Sequence, residues 1–318
     1  MNRKIFMILS IVFLSVTIIS AMLIESLITI DEMNGGEPHG INTSYNTTYN
    51  VSIPRDTPKI NTYELTNPDV SQQYCSILIN NTYNRWIDNK TRIKNTNDSI
   101  IYLKDNETID INKMSGRLDY SNISAFFKWN DYQNKYLLNP QNIELNISNV
   151  DKINSLINSS VAYNISIEYM RTHGGLPQNM FLYQNRTINV KCYSLNISYP
   201  SNYLFRFQRT IDSHPILGGE GVVLTISPLG DILSYYLLWR NVINSSKSIT
   251  VISALDSANY LNKHITKNIT VEKIEIGYYS NQDDETQYQL SPVWIFYTNK
   301  EYDLCTCVDA VNSNIIYG

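Results

Sequence analysis

An α+β fold of tandem modules is what this sequence predicts, each module a helix packed on a small antiparallel sheet. Two observations lead there. After residue 60, a helix-forming segment followed by alternating strands recurs three times, and each group closes on a strand, a tight turn and a second strand. That order argues antiparallel modules and against a parallel βαβ sheet. Ahead of them stands an apolar segment with the length of a transmembrane helix.

That segment comes first. Arg3 and Lys4 precede twenty uncharged residues, Ile5 to Ile24. The length spans a bilayer, and the basic flank keeps residues 1–4 in the cytoplasm, so everything after Glu25 is expected outside the cell membrane. A cleaved signal peptide is the competing reading. Its apolar region is shorter and ends in a small-x-small site, which "SAMLIES" lacks, so an uncleaved anchor over 5–24 is favoured. On that helix Ser10, Leu14, Thr17 and Ala21 fall close to one face, where small or hydroxylated side chains let a partner helix approach. Residues 25–60, rich in Asn, Thr, Gly and Pro and without either apolar period, read as an extended stalk.

Glycosylation acceptors mark the same side. Asn-x-Ser/Thr begins at Asn42, Asn46, Asn50, Asn80, Asn89, Asn97, Asn106, Asn122, Asn146, Asn158, Asn164, Asn185, Asn196, Asn244 and Asn268, fifteen in all. Composition alone gives about six or seven. The excess points to an exported glycoprotein.

The first module, 61–147, opens on "NPDVSQQYCSILINN", with Asn67 as N-cap, Pro68 at the first helical position and Val70, Tyr74, Ile77 and Leu78 inward. In the second, 148–245, Ser148 caps a helix with Asp151 three residues on and a stripe of Val150, Ile153, Ile157, Val161 and Ile165. Gly174, Gly175 and Pro177 end it. The third, 246–318, repeats the device with Ser253 and Asp256 around Leu255, Ala258, Leu261 and Ile265. The closing hairpins, "IDINKMSGRLDY", "LTISPLGDILSYY" and "VDAVNSNIIYG", bend at Gly116, Gly230 and Ser313. Gly tolerates positive φ, and the Asn residues flanking Ser313 supply it too.

In the last module Leu304, Thr306, Val308 and Ala310 alternate with Cys305, Cys307 and Asp309. The Leu-Val-Ala face is expected against the helix, with both thiols on the opposite face of a sheet covered on one side. Four cysteines outside a membrane, Cys75, Cys192, Cys305 and Cys307, allow three full disulfide pairings. Direct bonding of Cys305 to Cys307 along a straight strand is disfavoured. A four-thiolate zinc site would need Cys75 and Cys192 to converge on that pair, and free thiols are the remaining alternative.

A helix opened by "ISALDSA", then "LSPVWIFY", then "CVDAVNSNII", resembles a PepSY domain, whose closing turn follows V-D-A-x-x-G-x-I. Val308, Asp309, Ala310 and Ile315 match, with Ser313 in the Gly position. "YLFRFQRTIDSHPILGGEGVVLTISPLGDILSYY" resembles the propeptide domain of thermolysin-like proteases, with its R-F-x-Q strand and G-x-P-V-x-G turn. Arg206, Phe207, Pro215 and Gly218 match; Arg209, Ser213 and Ile216 depart from it. With its single anchor, the plan is similar to membrane-anchored accessory regulators of bacterial cell-wall sensor kinases. The likeness covers roughly residues 148–318.

Function is bounded by what the residues can do. With 318 residues, 43% hydrophobic and 17% charged, the chain can bury a sizeable core. A net charge of −4 without a Lys/Arg run gives no footprint for nucleic acid. No histidine opens the H-E-x-x-H pattern that follows such propeptides in proteases, and His173 reads as a helix-end residue suited to the dipole. G-x-S-x-G, P-loop, C-x-x-C and calcium-loop spacings are missing. "NQDDETQ" at 281–287 reads as a hairpin tip and "GGEG" at 218–221 as a turn. The expectation is a non-catalytic, cofactor-free binding protein that regulates another membrane protein. The alternatives are an inhibitor or folding helper of an exported hydrolase, or a structural glycoprotein of the cell envelope.

Overall fold

The computed structural model describes residues 46–66, 79–80, 87–137, 152–173, 175–192, 197–281, 288–299 and 304–317, all within the compact unit Tyr45–Gly318. The strands are β1 Thr47–Tyr49, β2 Lys59–Thr66, β3 Arg92–Asn95, β4 Ser99–Lys104, β5 Glu107–Asn112, β6 Leu118–Asn122, β7 Met180–Cys192, β8 Ile197–Ile211 and β9 His214–Gly218. They continue as β10 Gly221–Ile226, β11 Ile232–Leu238, β12 Asn241–Thr250, β13 Ile269–Val271, β14 Lys273–Ser280, β15 Ser291–Tyr297, β16 Cys305–Asp309 and β17 Ile315–Tyr317. Helix α1 is Ile123–Tyr132, continued by a π-helical turn Gln133–Leu137; α2 is Ser159–Thr172 and α3 is Ala254–His264.

The fold class expected from sequence is overturned. In place of modules of a helix on its own small sheet there is a dominant 13-stranded sheet, ordered β17-β16-β15-β14-β9-β8-β10-β11-β6-β5-β4-β3, with β7 on β8, accompanied by the two-stranded pairs β1-β13 and β2-β12. The reason lies in β8. Its residues pair with β7 on one edge, as in Phe207 with Leu182 and Arg209 with Met180. On the other edge Arg209 meets Ile216 of β9 and Phe207 meets Val222 of β10. The strand from His214 to Ile226 thus breaks at "GGEG" and forks the sheet. β9 passes to β14 in parallel register and β10 to β11 in antiparallel register. Local periodicity shows hairpins; a parallel seam between distant strands leaves no such trace.

The fork needs glycine. Gly218 has φ of +90°, and a Cβ there would stand 2.0 Å from the Ser280 carbonyl oxygen. Only a residue without a side chain lets the two backbones meet. The closing hairpins β5–β6, β10–β11 and β16–β17 do bend at Gly116, Gly230 and Ser313, with φ of +72°, +89° and +56°.

On the arm β10-β11-β6-β5-β4 one face is apolar. Tyr102, Ile109, Tyr120, Tyr235, Leu224 and Phe205 follow one another across it, beneath Ala162 and Met170 of α2. Helix α2 takes Asn158 as its cap, and its buried line is Ala162, Ser166 and Met170, while Val161 is exposed; the expected cap Ser148, with Val150 and Asp151, lies outside the described residues. Helix α3 starts at the expected Ser253, whose Oγ accepts from Asp256 N at 3.1 Å. Ala254, Ala258 and Leu261 of α3 share a core with Val308 of β16 and with Ala310 just after it. Both helices end on the same device. His173 and His264 stack on Tyr169 and Tyr260, centroids 3.9 and 4.1 Å apart, each with Nδ1 2.8 Å from that tyrosine's carbonyl oxygen.

The expected helix from Asn67 lies outside the described residues except for Ile79 and Asn80, and the anchor with Ser10, Leu14, Thr17 and Ala21 lies wholly outside them. Among the described residues, no helix is long and apolar enough to cross a membrane.

Candidate functional site

The face opposite the α2 core carries the polar residues of the same strands. Side chains alternate along a strand and directly opposed residues share a face, so the pairing register defines lines across the sheet. One line runs Asp110, Asp119, Tyr236, Val223, Arg206, Gln184 over β5, β6, β11, β10, β8 and β7. Beside it runs Thr108, Ser121, Ser234, Thr225, Leu204, Arg186.

Electrostatics tie the first line together. Arg117 Nε donates to Asp119 Oδ2 at 2.8 Å. Asp119 keeps 44% of its side chain exposed, yet crowding by neighbours raises its carboxyl above the usual range, against the pull of Arg117. Burial likewise raises Asp110, and the opposed charge of Asp119 adds to it. Tyr236 donates to the Gly219 carbonyl at 3.0 Å. Burial pushes its phenol up, and it feels Asp119, Arg117, Arg206 and Glu220 at once. Arg206 donates to the Gly218 carbonyl, and its guanidinium carbon lies 6.0 Å from the Tyr183 ring centroid. Among the described residues, no carboxylate lies within ion-pair distance of Arg206.

Past Arg206 the line reaches the other arm. Tyr183 Oη is 3.4 Å from Cys305 Sγ, within an apolar cluster of Leu217, Val293, Ile295, Tyr297 and Cys307. A hydrogen bond with Cys305, and then burial, push the Cys307 thiol up, so it is a poor nucleophile at neutral pH. The expectation that this sheet is covered on one side is corrected: the thiol face is buried as well, with Tyr183 of β7 packed against it.

Beneath the fork sits a second polar group. Glu220 accepts from Arg209 at 3.1 Å and from Arg240 Nε at 2.5 Å, while Arg240 also donates to Ser280 Oγ at 2.8 Å. Burial lowers the Arg209 pKa, against the pull of Glu220. This cluster joins β8, the break between β9 and β10, the link from β11 to β12, and β14, and it is buried, so its role is structural.

Cys305 and Cys307 are both thiols, so neither takes part in a disulfide here. Cys75 lies outside the described residues, and Cys192 closes β7. Of the sequons, Asn42, Asn146 and Asn196 lie outside, and Asn244 stands on β12. Asn46, Asn50, Asn89, Asn97, Asn106, Asn158, Asn164, Asn185 and Asn268 are exposed; Asn80 and Asn122 are half-buried. Asn122 caps α1, accepting from Ala125 N at 2.9 Å while its Nδ2 donates to Glu107 and to Tyr120 Oη. No sequon asparagine among the described residues belongs to either polar line. The described histidines stay apart: His173 and His264 end helices, and His214 packs against Tyr278, while His39 lies outside the described residues. Among the described residues no group of three or more His, Cys, Asp or Glu is placed to hold a metal ion.

The sequence reading passed over Asp110, Asp119 and Tyr236. A signal for the first two was present: counted outward from the turn at Gly116, they fall opposite one another on the polar positions of the hairpin.

No family model matches the chain, and no curated protein does. Among solved structures, an uncharacterized protein from Eubacterium rectale ATCC 33656 is 12% identical with a TM-score of 0.49, over 88% of this chain and 92% of that one. The C-terminal domain of Bacillus megaterium YpeB is also 12% identical, with a TM-score of 0.37, over 78% of this chain and 96% of that one. At these scores the likenesses assign neither family nor activity.

Proposed function

We propose that this chain is a membrane-anchored, extracytoplasmic, non-catalytic binding protein that regulates another membrane protein or an exported protein through its polar sheet face. The observation that carries the reading is Arg206. Its guanidinium stands mid-face without a carboxylate partner among the described residues, in line with the crowded acids Asp119 and Asp110. Four strand spacings separate Arg206 from Asp110, roughly 19 Å. Opposite charges that far apart suit recognition of an extended, mixed-charge surface. The apolar segment 5–24 and the fifteen sequons support the exported, anchored placement. The motif resemblance of residues 148–318 to PepSY and protease-propeptide segments supports binding over catalysis.

Crosslinking in the native membrane, followed by identification of what co-purifies, tests the reading. The expected product holds a membrane sensor or an exported hydrolase, and Arg206→Glu reduces its recovery while the chain stays folded. A bulk envelope polymer as the sole product, or hydrolytic activity in the pure protein, overturns it.

A further inference from the structure

Binding at the polar face makes no use of the two thiols on β16. Cys305 and Cys307 stand two residues apart on one side of that strand and share a hydrogen bond. Cys307 is fully buried, and Cys305 keeps 8% of its residue surface exposed. Their surroundings are apolar or phenolic: Leu217, Val293, Ile295 and Tyr297 pack around them and Tyr183 Oη reaches Cys305 Sγ at 3.4 Å.

We propose that Cys305 and Cys307 form a two-sulfur site for a monovalent thiophilic ion of the copper(I) and silver(I) class. Zinc takes four ligands in structural sites, and no further His, Cys, Asp or Glu among the described residues completes such a set around this pair. Soft monovalent ions are selected by thiolate sulfur. Two such ligands suffice for a linear complex, and a dry apolar wall excludes the hard oxygen ligands favoured by competing ions. The balance is simple. Two thiols lose their protons to solvent, two metal–sulfur bonds form, and the neutral pair becomes a bis-thiolate complex with one negative charge. Tyr183 is placed to donate its hydroxyl proton to the Cys305 sulfur, and the Arg206 guanidinium, 6.0 Å from the Tyr183 ring, offsets the added charge. No oxidant or reductant is required.

The test uses the full chain, reduced and held in detergent without oxygen, titrated with copper(I) against a chromophoric copper(I) chelator. One equivalent per chain is expected, with release of two protons and an X-ray absorption spectrum showing two sulfurs on the metal. Cys305→Ser and Cys307→Ser each abolish that equivalent, while Cys75→Ser and Cys192→Ser leave it intact. Tyr183→Phe keeps both sulfurs and weakens binding by about tenfold, the scale of a lost outer-shell partner. Circular dichroism confirms that each variant is folded. Tight binding that survives in folded Cys305→Ser, or none in the wild-type chain, overturns the site.

Discussion

Arg240 Nε donates to Glu220 Oε1 at 2.5 Å, and the two side chains are exposed by only 1% and 0%. This pair holds the point where one sheet becomes two arms: Glu220 lies in the break between β9 and β10, and Arg240 reaches across to Ser280 on β14. Removing one partner of a buried pair leaves the other charge without compensation, which costs about 3–5 kcal/mol. Glu220→Ala is therefore expected to lower the urea midpoint strongly. Replacing Glu220 and Arg240 together by apolar residues is expected to cost far less than the single change, and a denaturation series on the three variants measures the difference.

The seam beside it is steric. Gly218→Ala would place a methyl 2.0 Å from the Ser280 carbonyl oxygen at a φ of +90°, so the parallel pairing of β9 with β14 has to open. Gly230→Ala meets only Ile165 Cδ1 at 3.4 Å and suffers from its φ of +89° alone. The second change is expected to cost roughly 1–2 kcal/mol, the strain of a left-handed L-residue. The first is expected to lose the cooperative transition. Thermal melts of both variants compare clash with strain.

These contacts also mark where the sequence ceases to be legible. Ser253 as a cap, positive φ at Gly116, Gly230 and Ser313, and the side taken by Val308 all follow from neighbours a few residues away. In the stripe read from Val150 to Ile165, Asn158 interposes its own cap, at which Oδ1 accepts from Val161 N at 3.0 Å and restarts the helix, so Val161 is exposed while Ile153, Ile157 and Ile165 still pack against the core. The fork was beyond reach. "GGEG" reads as a turn in one dimension, and nothing near it indicates that Ser280, sixty-two residues after Gly218, takes the place of a side chain. The polar lines were half-legible: one hairpin shows that Asp110 faces Asp119, whereas Tyr236 and Arg206 join them only through pairings between hairpins.

Asp110 stands opposite Asp119 on adjacent strands, and like charges so placed destabilise a sheet. Its carboxyl titrates above the ordinary value, chiefly through burial. The folded chain therefore holds the Asp110 proton more tightly than the unfolded chain, and stability contributed by this group falls as pH rises from the ordinary carboxylate range, about 4, through its folded pKa. Asp110→Asn removes the charge. The variant is expected to exceed the wild type in stability at pH 7 and to match it near pH 3, read from urea midpoints at the two pH values.

Asn122 and Asn164 carry equivalent sequons and are expected to behave differently. Asn164 is exposed on α2, whereas the Asn122 amide is committed to Glu107 and Tyr120 and its Oδ1 caps α1. Peptide mapping of chain from its native membrane is expected to find glycan on Asn164 and none on Asn122. Asn122→Ala is expected to cost about 1 kcal/mol through the lost cap. Asn164→Gln is expected to remove a glycan and leave the melting temperature unchanged.

The anchor gives the last expectation. Ser10, Leu14, Thr17 and Ala21 recur close to one face of the segment 5–24, and small or hydroxylated residues on such a face admit the close approach of a second helix. If regulation passes through the membrane as well as through the polar face, then Thr17→Leu with Ala21→Leu reduces recovery of the partner while insertion and ectodomain folding persist. Arg206→Glu acts outside the membrane, so each change alone leaves part of the interaction and the two together remove it. Exchange of residues 5–24 for an unrelated membrane helix with full partner recovery reduces the segment to a tether and assigns all binding to the forked sheet.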